Sequence, residues 1–210
     1  LFQVCSTSTN TLQALEILRY LLQSDGAPVA VSPRIWGAAL HVCAIAGDHV
    51  SARTILSWMQ EKGHRANVRH CTAYLKALAV SRQDRVALTF LEYMVHGENI
   101  DTGQTNISPS PWDGLLVDPP DAIALQAVLT ALSTTENYTQ SRRLLDSIKN
   151  GDFGDNVKLD EKCYNLVLAS CRESQEAKDL IREMRLSRRH RVGVVAPSQI
   201  TYTRAITVCR

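Results

Sequence analysis

With 210 residues, 45% of them hydrophobic and 21% charged, the chain has the composition of a folded globular protein rather than a disordered one. Its formal charge of +2 is too small to announce a polyanion partner by itself. No apolar run reaches the roughly 18 to 20 residues that span a bilayer, and the first residues lack the basic-then-apolar order of a secretion signal.

In chain order, Leu1 to Ser6 reads as the end of a helix and Thr7 to Thr11 as a polar turn. Leu12 to Gln23 reads as a helix, because Leu12, Leu15, Ile17, Leu18, Leu21 and Leu22 form a wide apolar face. Gly26 and Pro28 break the pattern, and Pro33 restarts it as a first-turn proline. Arg34 to Ala46 and His49 to Gly63 then predict a helical hairpin turning at Gly47 and Asp48, and Val68 to Val80 with Asp84 to His96 predict a second.

The two hairpins are one pattern written twice. Trp36, Leu40, Ala52 and Met59 recur 35 residues on as Cys71, Leu75, Ala87 and Met94, and a fixed period of this length signals a repeat architecture. Gly97 to Pro120, rich in Pro, Gly, Ser and Asn, reads as an insertion expected to be mobile on the convex side or an edge. The register resumes with Ala122 to Leu132 and Thr139 to Lys149, breaks at Asn150 to Lys158, and continues with Glu161 to Arg172 and Glu176 to Arg185. Gln199 to Arg210 opens a further unit, so the chain is expected to be a piece of a longer polypeptide with any targeting segment outside it.

The array is therefore expected to be an all-α solenoid of stacked helical hairpins. Its organisation is a partial repeat over 1–32, repeats over 33–67, 68–121 with the insertion 97–120, 122–160 and 161–198, and the first helix of another over 199–210. Trp36, Leu40, Leu56, Met59, Leu75, Leu78, Leu91, Met94, Val128, Leu129, Leu145, Leu168 and Met184 are the expected core. Of the six cysteines, Cys5, Cys43, Cys171 and Cys209 share one place late in a first helix, which reads as reduced thiols packing as small hydrophobes.

Each unit runs from a first helix through a Gly or polar turn to an early Ala and a late Met in the second helix, then closes on Asp, Asn or Ser. Gly47, Ala52, Met59, Gly63 and Asn67 show this in the first complete unit, and Asp121 closes the next. This order resembles the pentatricopeptide repeat family, and the resemblance covers essentially the whole chain. It implies a right-handed superhelix that binds single-stranded RNA, one base per repeat, through the fifth residue of a unit and its last. Carried over by position, those pairs are Gly37 with Asn67, Thr72 with Asp121, Gln126 with Asp160 and Asn165 with Ser198, followed by Thr203 alone; Ser32 closes the partial first unit.

Thr72 with Asp121 resembles the pair that favours guanine, and Asn165 with Ser198 one that favours cytosine. The second place, which holds a base-wedging aliphatic residue in the family, is here Arg34, Arg69, Ile123, Lys162 and Ile200. Arg34, Arg69 and Lys162 are suited to contact phosphate or stack on bases. Asn67, Asp121 and Asp160 are equally suited to capping the helix that follows. The basic run Arg185, Arg188, Arg189, His190 and Arg191 reads either as a contact for RNA or an acidic partner, or as a solvated face.

No phosphate loop, nucleophile elbow, metal-ligand spacing or carboxylate cluster stands in the sequence, so neither enzyme, cofactor nor small-molecule substrate is expected. The family works chiefly in mitochondria and plastids, which implies a mitochondrion or chloroplast, with organellar RNA processing, stability or translation as the role. The alternative is a scaffold gripping protein partners within a larger organellar assembly such as a ribosome.

Overall fold

The structure, a computed structural model, describes residues 11–23, 31–96, 112, 114–154, 157–189 and 195–208. The readings of Leu1 to Ser6, Cys5, Cys209, the insertion from 97 to 111 and the basic run's side chains beyond Leu186 lie outside the described residues. The described residues form α1 (Thr11–Gln23), α2 (Pro33–Ala46), α3 (His49–Glu61), α4 (Val68–Val80), α5 (Asp84–His96), α6 (Ala122–Thr134), α7 (Tyr138–Asn150), α8 (Glu161–Ser170), α9 (Ser174–Arg189) and α10 (Gln199–Val208). Among them the β-structure is one isolated bridge, Ala66 with Val117.

The chain divides into two compact units, 1–120 and 121–210. In the first, α2 packs on α4, α1 on α2, and the hairpins α2–α3 and α4–α5 close on themselves. In the second, α8 lies between α6 and α10, with α7 and α9 each packed on the first helix of its own hairpin and on that of the next. First helices thus stack on first helices within each unit, as hairpins of one repeat must when each buries its apolar face on its neighbour.

Every expected core residue is buried, and Trp36, Leu40, Leu56, Leu75, Leu78, Leu129, Leu145 and Leu168 almost completely so. A large aliphatic or aromatic side chain removed from water contributes about 1.5–3 kcal/mol. Cys43, Cys71, Cys163 and Cys171 are free, buried thiols whose pKa burial pushes up to about 12, so they pack and stay protonated.

The hairpin turns share one conformation. Gly47, Arg82 and Glu136 hold φ of 70°, 58° and 54° at the same repeat place. Gly47 is obligatory, since a Cβ there would stand 2.6 Å from Val80 Cγ1. Arg82 and Glu136 accept the left-handed strain because Asp48, Gln83 and Asn137 must follow to start the next helix. The α8–α9 turn, three residues shorter, departs from this: α8 ends at Ser170, and Cys171 is extended rather than helical.

The described end of the insertion is packed, not the mobile edge the sequence led one to expect. Trp112 and Leu115 are buried, and the Trp112 ring lies 5.2 Å from Phe90 and 6.1 Å from Tyr93. The Tyr93 hydroxyl donates to the Leu115 carbonyl at 2.9 Å. The Ala66 N–H donates to the Leu116 carbonyl at 2.9 Å, the Asp118 N–H to the Ala66 carbonyl at 3.2 Å, and Arg65 pairs with Asp118 at 2.7 Å. Composition marked these residues as loop, but their two aromatic and aliphatic anchors bind them to α5 and to the start of α4.

Candidate functional site

The expected reading places lie at the N-terminal ends of the first helices. An Asn or Asp closing one unit is the N-cap of the next helix: Asn67 Oδ1 accepts the Arg69 and His70 N–H groups, Asp121 Oδ1 accepts that of Ala124 at 2.8 Å, and Asp160 Oδ1 that of Cys163 at 2.9 Å. Each satisfies donors a helix start leaves orphaned. The capping role weighed from sequence is thus present at all three.

The pairs differ in how closely they meet. Gln126 Nε2 donates to Asp160 Oδ2 at 2.9 Å, so one carboxylate caps α8 with one oxygen and holds the Gln126 amide with the other. Asn165 and Ser198 meet through Glu161: the Asn165 amide donates to its Oε1 at 3.3 Å, the Thr201 hydroxyl at 2.9 Å, and the Ser198 hydroxyl donates to the same oxygen. The Ser198 and Thr201 hydroxyls hold the Glu161 carboxyl below its usual range. Arg204 donates to the Asn165 carbonyl oxygen of the backbone at 2.8 Å, and Asn165 Oδ1 is buried with no partner among the described residues.

Gly37 and Asn67 bracket His70. Its Nδ1 accepts the Asn67 N–H at 3.3 Å, and its Nε2 stands 3.1 Å from the Pro33 carbonyl, which fixes the proton on Nε2. Burial lowers the imidazole pKa, against the opposing pull of the Pro33 carbonyl and Asp118. A Cβ at Gly37 would lie 3.5 Å from His70 Nε2, an ordinary contact, so a side chain fits there. Thr72 in α4 and Asp121 belong to different units; Thr72 is buried, at 7% exposure, as is Asn165.

Around these pairs the second-place residues all face solvent. Arg34, Arg69 and Lys162 are exposed, and so are Ile123 at 54% and Ile200 at 61%. Thr203 is exposed, its hydroxyl turned back onto the Gln199 carbonyl at 2.8 Å. Sequence reasoning missed Glu161 and His70. The signals were there: Glu161 lies four residues before Asn165 on one helix face, and His70 holds the third helical position after an Asn cap, where a side chain reaches back.

No three His, Cys, Asp or Glu side chains among the described residues come together as metal ligands, and no described helix is long and apolar enough to cross a membrane.

These elements define an all-α solenoid of pentatricopeptide-repeat-like hairpins. Its fold is similar to that of the nuclear proteinaceous RNase P 2 from A. thaliana, with a TM-score of 0.63 and 15% identity over 99% of this chain and 40% of that one. A solved structure of the pentatricopeptide repeat protein PPR10 with an 18-nt psaJ RNA element matches with a TM-score of 0.39 and 18% identity, over 94% of this chain and 30% of that one. The chain therefore spans well under half of either. No protein-family model and no curated protein matches it.

Proposed function

We propose that the chain is a non-catalytic array that binds single-stranded RNA through the starts of its first helices, in organellar RNA processing, stability or translation. The observation that carries this reading is the solvent-facing second place of every first helix, cationic in Arg34, Arg69 and Lys162 and bare isoleucine in Ile123 and Ile200. An exposed aliphatic side chain beside a convergent polar pair such as Gln126 and Asp160 suits a base held edge-on to the pair and face-on to the wedge. The nucleic-acid complex of PPR10 supports the ligand class. Mitochondrion or chloroplast follows as the compartment from the family resemblance, and neither membrane nor small-molecule substrate is involved.

A second reading is favoured by a different observation. Thr72 and Asn165 are buried, Asp121 and Asp160 each spend an oxygen on a cap, and Gln126 already holds Asp160, which suits a scaffold for protein partners whose polar pairs are structural. Selection of short random single-stranded RNAs by the 210-residue chain, with duplex competitor and a salt series, separates the two. Base preference that changes in Thr72→Asn or Asn165→Thr supports reading. Weak binding without base preference, lost as salt rises, leaves only phosphate contact and favours the scaffold.

A further inference from the structure

Glu183 in α9 is gripped by three groups from the two preceding helices. Arg142 Nη2 of α7 lies 2.7 Å from its Oε2, Lys149 of the same helix pairs with Oε1, and the Tyr164 hydroxyl of α8 donates to Oε1 at 2.9 Å. The Lys149 ammonium also stands 5.7 Å from the Tyr164 ring centre. One carboxylate thus fastens the second helix of a hairpin onto the hairpin before it.

The repeat writes this clamp a second time. Arg142, Leu145 and Lys149 of α7 recur 36 residues on as Lys178, Ile181 and Arg185 of α9, and Tyr164 and Leu168 of α8 recur 38 residues on as Tyr202 and Ile206 of α10. Both cations, the tyrosine and the apolar bed are present in the second set, and the carboxylate is not. Arg182 between them is taken by Asp179 at 2.8 Å, but among the described residues Lys178, Arg185 and Tyr202 have no hydrogen-bonding or ion-pair partner. Where Tyr164 and Leu168 are 2% and 0% exposed, Tyr202 and Ile206 are 40% and 62% exposed. Lys178, Ile181, Arg185, Leu186 and Tyr202 line a single groove.

We propose that this groove docks a partner α-helix carrying a carboxylate, which lies on α9 and α10 as α9 lies on α7 and α8, its acid held by Lys178, Arg185 and the Tyr202 hydroxyl. Lys178 and Arg185 are two helical turns apart, the spacing from which Arg142 and Lys149 converge on Glu183. Ile181, Leu186 and Ile206 supply the apolar surface a helix buries, while a phosphate chain gains nothing from them. The partner is therefore an amphipathic acidic helix rather than a nucleic acid.

The test is fluorescence anisotropy of the 210-residue chain with a labelled helical peptide whose leucine face carries one glutamate, placed as Glu183 is between Leu180 and Met184. A twin peptide has glutamine there. The glutamate peptide is expected to bind about tenfold more tightly than its twin, as charge-assisted hydrogen bonds do over neutral ones. That preference should vanish in the Lys178→Gln, Arg185→Gln double variant, shrink in Tyr202→Phe, and invert toward a lysine peptide in Lys178→Glu, Arg185→Glu. All these side chains are exposed or half-exposed, and circular dichroism checks that the fold survives. Equal affinity for the twin peptides overturns the proposal. So does displacement of the peptide by an oligouridylate whose own binding is lost in the same double variant.

Discussion

Gln126 and Asp160 are 34 residues apart, and the amide of one donates to the carboxylate of the other at 2.9 Å while that carboxylate caps α8. The two roles separate by mutation. Asp160→Ala removes the cap and the amide's partner together and is expected to cost about 1–2 kcal/mol. Gln126→Ala leaves the cap in place and should cost under about 1 kcal/mol. Urea unfolding followed by circular dichroism reads both, and equal losses would show that the cap contributes nothing.

His70 makes the first unit acid-sensitive. With its proton on Nε2 and Nδ1 accepting the Asn67 N–H, a second proton on Nδ1 would face a donor and open the capping box. Burial sets the folded imidazole pKa below the usual 6.5, so the unfolded chain takes up the proton first. The stabilisation is therefore complete above about pH 6.5 and lost as pH falls through the lower folded value. Urea midpoints between pH 7.5 and 5 should fall in the parent chain and flatten in His70→Gln.

Glu183 gives a second, lower window. Burial raises its carboxyl pKa, but hydrogen bonds from Lys149, Arg142 and Tyr164 outweigh this and leave it below the usual 4.5. Its contribution is present above that value and lost as pH falls through the folded one. Glu183→Gln should cost about 2 kcal/mol at pH 7, and the gap to the parent should close toward pH 3. Denaturation at the two pH values measures it.

Gly37 is a vacant reading place beside a side chain that can receive a neighbour. Gly37→Ala should stabilise α2 by roughly 0.5–1 kcal/mol, because the added Cβ meets only an ordinary contact at His70. If the array reads bases, Gly37→Thr or Gly37→Asn should add a base preference at one position of a selected RNA pool. An unchanged pool with intact affinity would confine the site to phosphate contact.

The strap at the end of the insertion is testable without RNA. Trp112→Ala should cost about 3–5 kcal/mol, the usual loss for a buried aromatic, and Tyr93→Phe about 1 kcal/mol through the hydrogen bond to the Leu115 carbonyl. Differential scanning calorimetry of the two variants checks the order.

Most of the fold was legible in the sequence because its signals are local. The bounds of α4, Val68–Val80, and α5, Asp84–His96, follow from an Asn cap, an apolar stripe and polar turns within a few residues of one another. The strap was not legible, because Arg65 reaches Asp118 across 53 residues and no neighbouring residue advertises that pairing. At the site, the Asp and Asn caps were readable from type and place. The Glu161 hub was not, since it exists only once Ser198 and Thr201 arrive from 37 and 40 residues away. The end of α8 was misjudged by two residues for a similar reason: nothing in Cys171 or Arg172 forbids a helix, and the shortened connection to α9 decides it.

The parallel bridge between Ala66 and Val117 also bears on how such a chain can change its length. The backbone enters the second repeat and leaves it side by side, heading the same way, about 4.8 Å apart as neighbouring strands are. A gene deletion that removed 67–117 would thus rejoin two segments already aligned. The repeat behaves as a cassette whose seams are brought together by the folded protein itself.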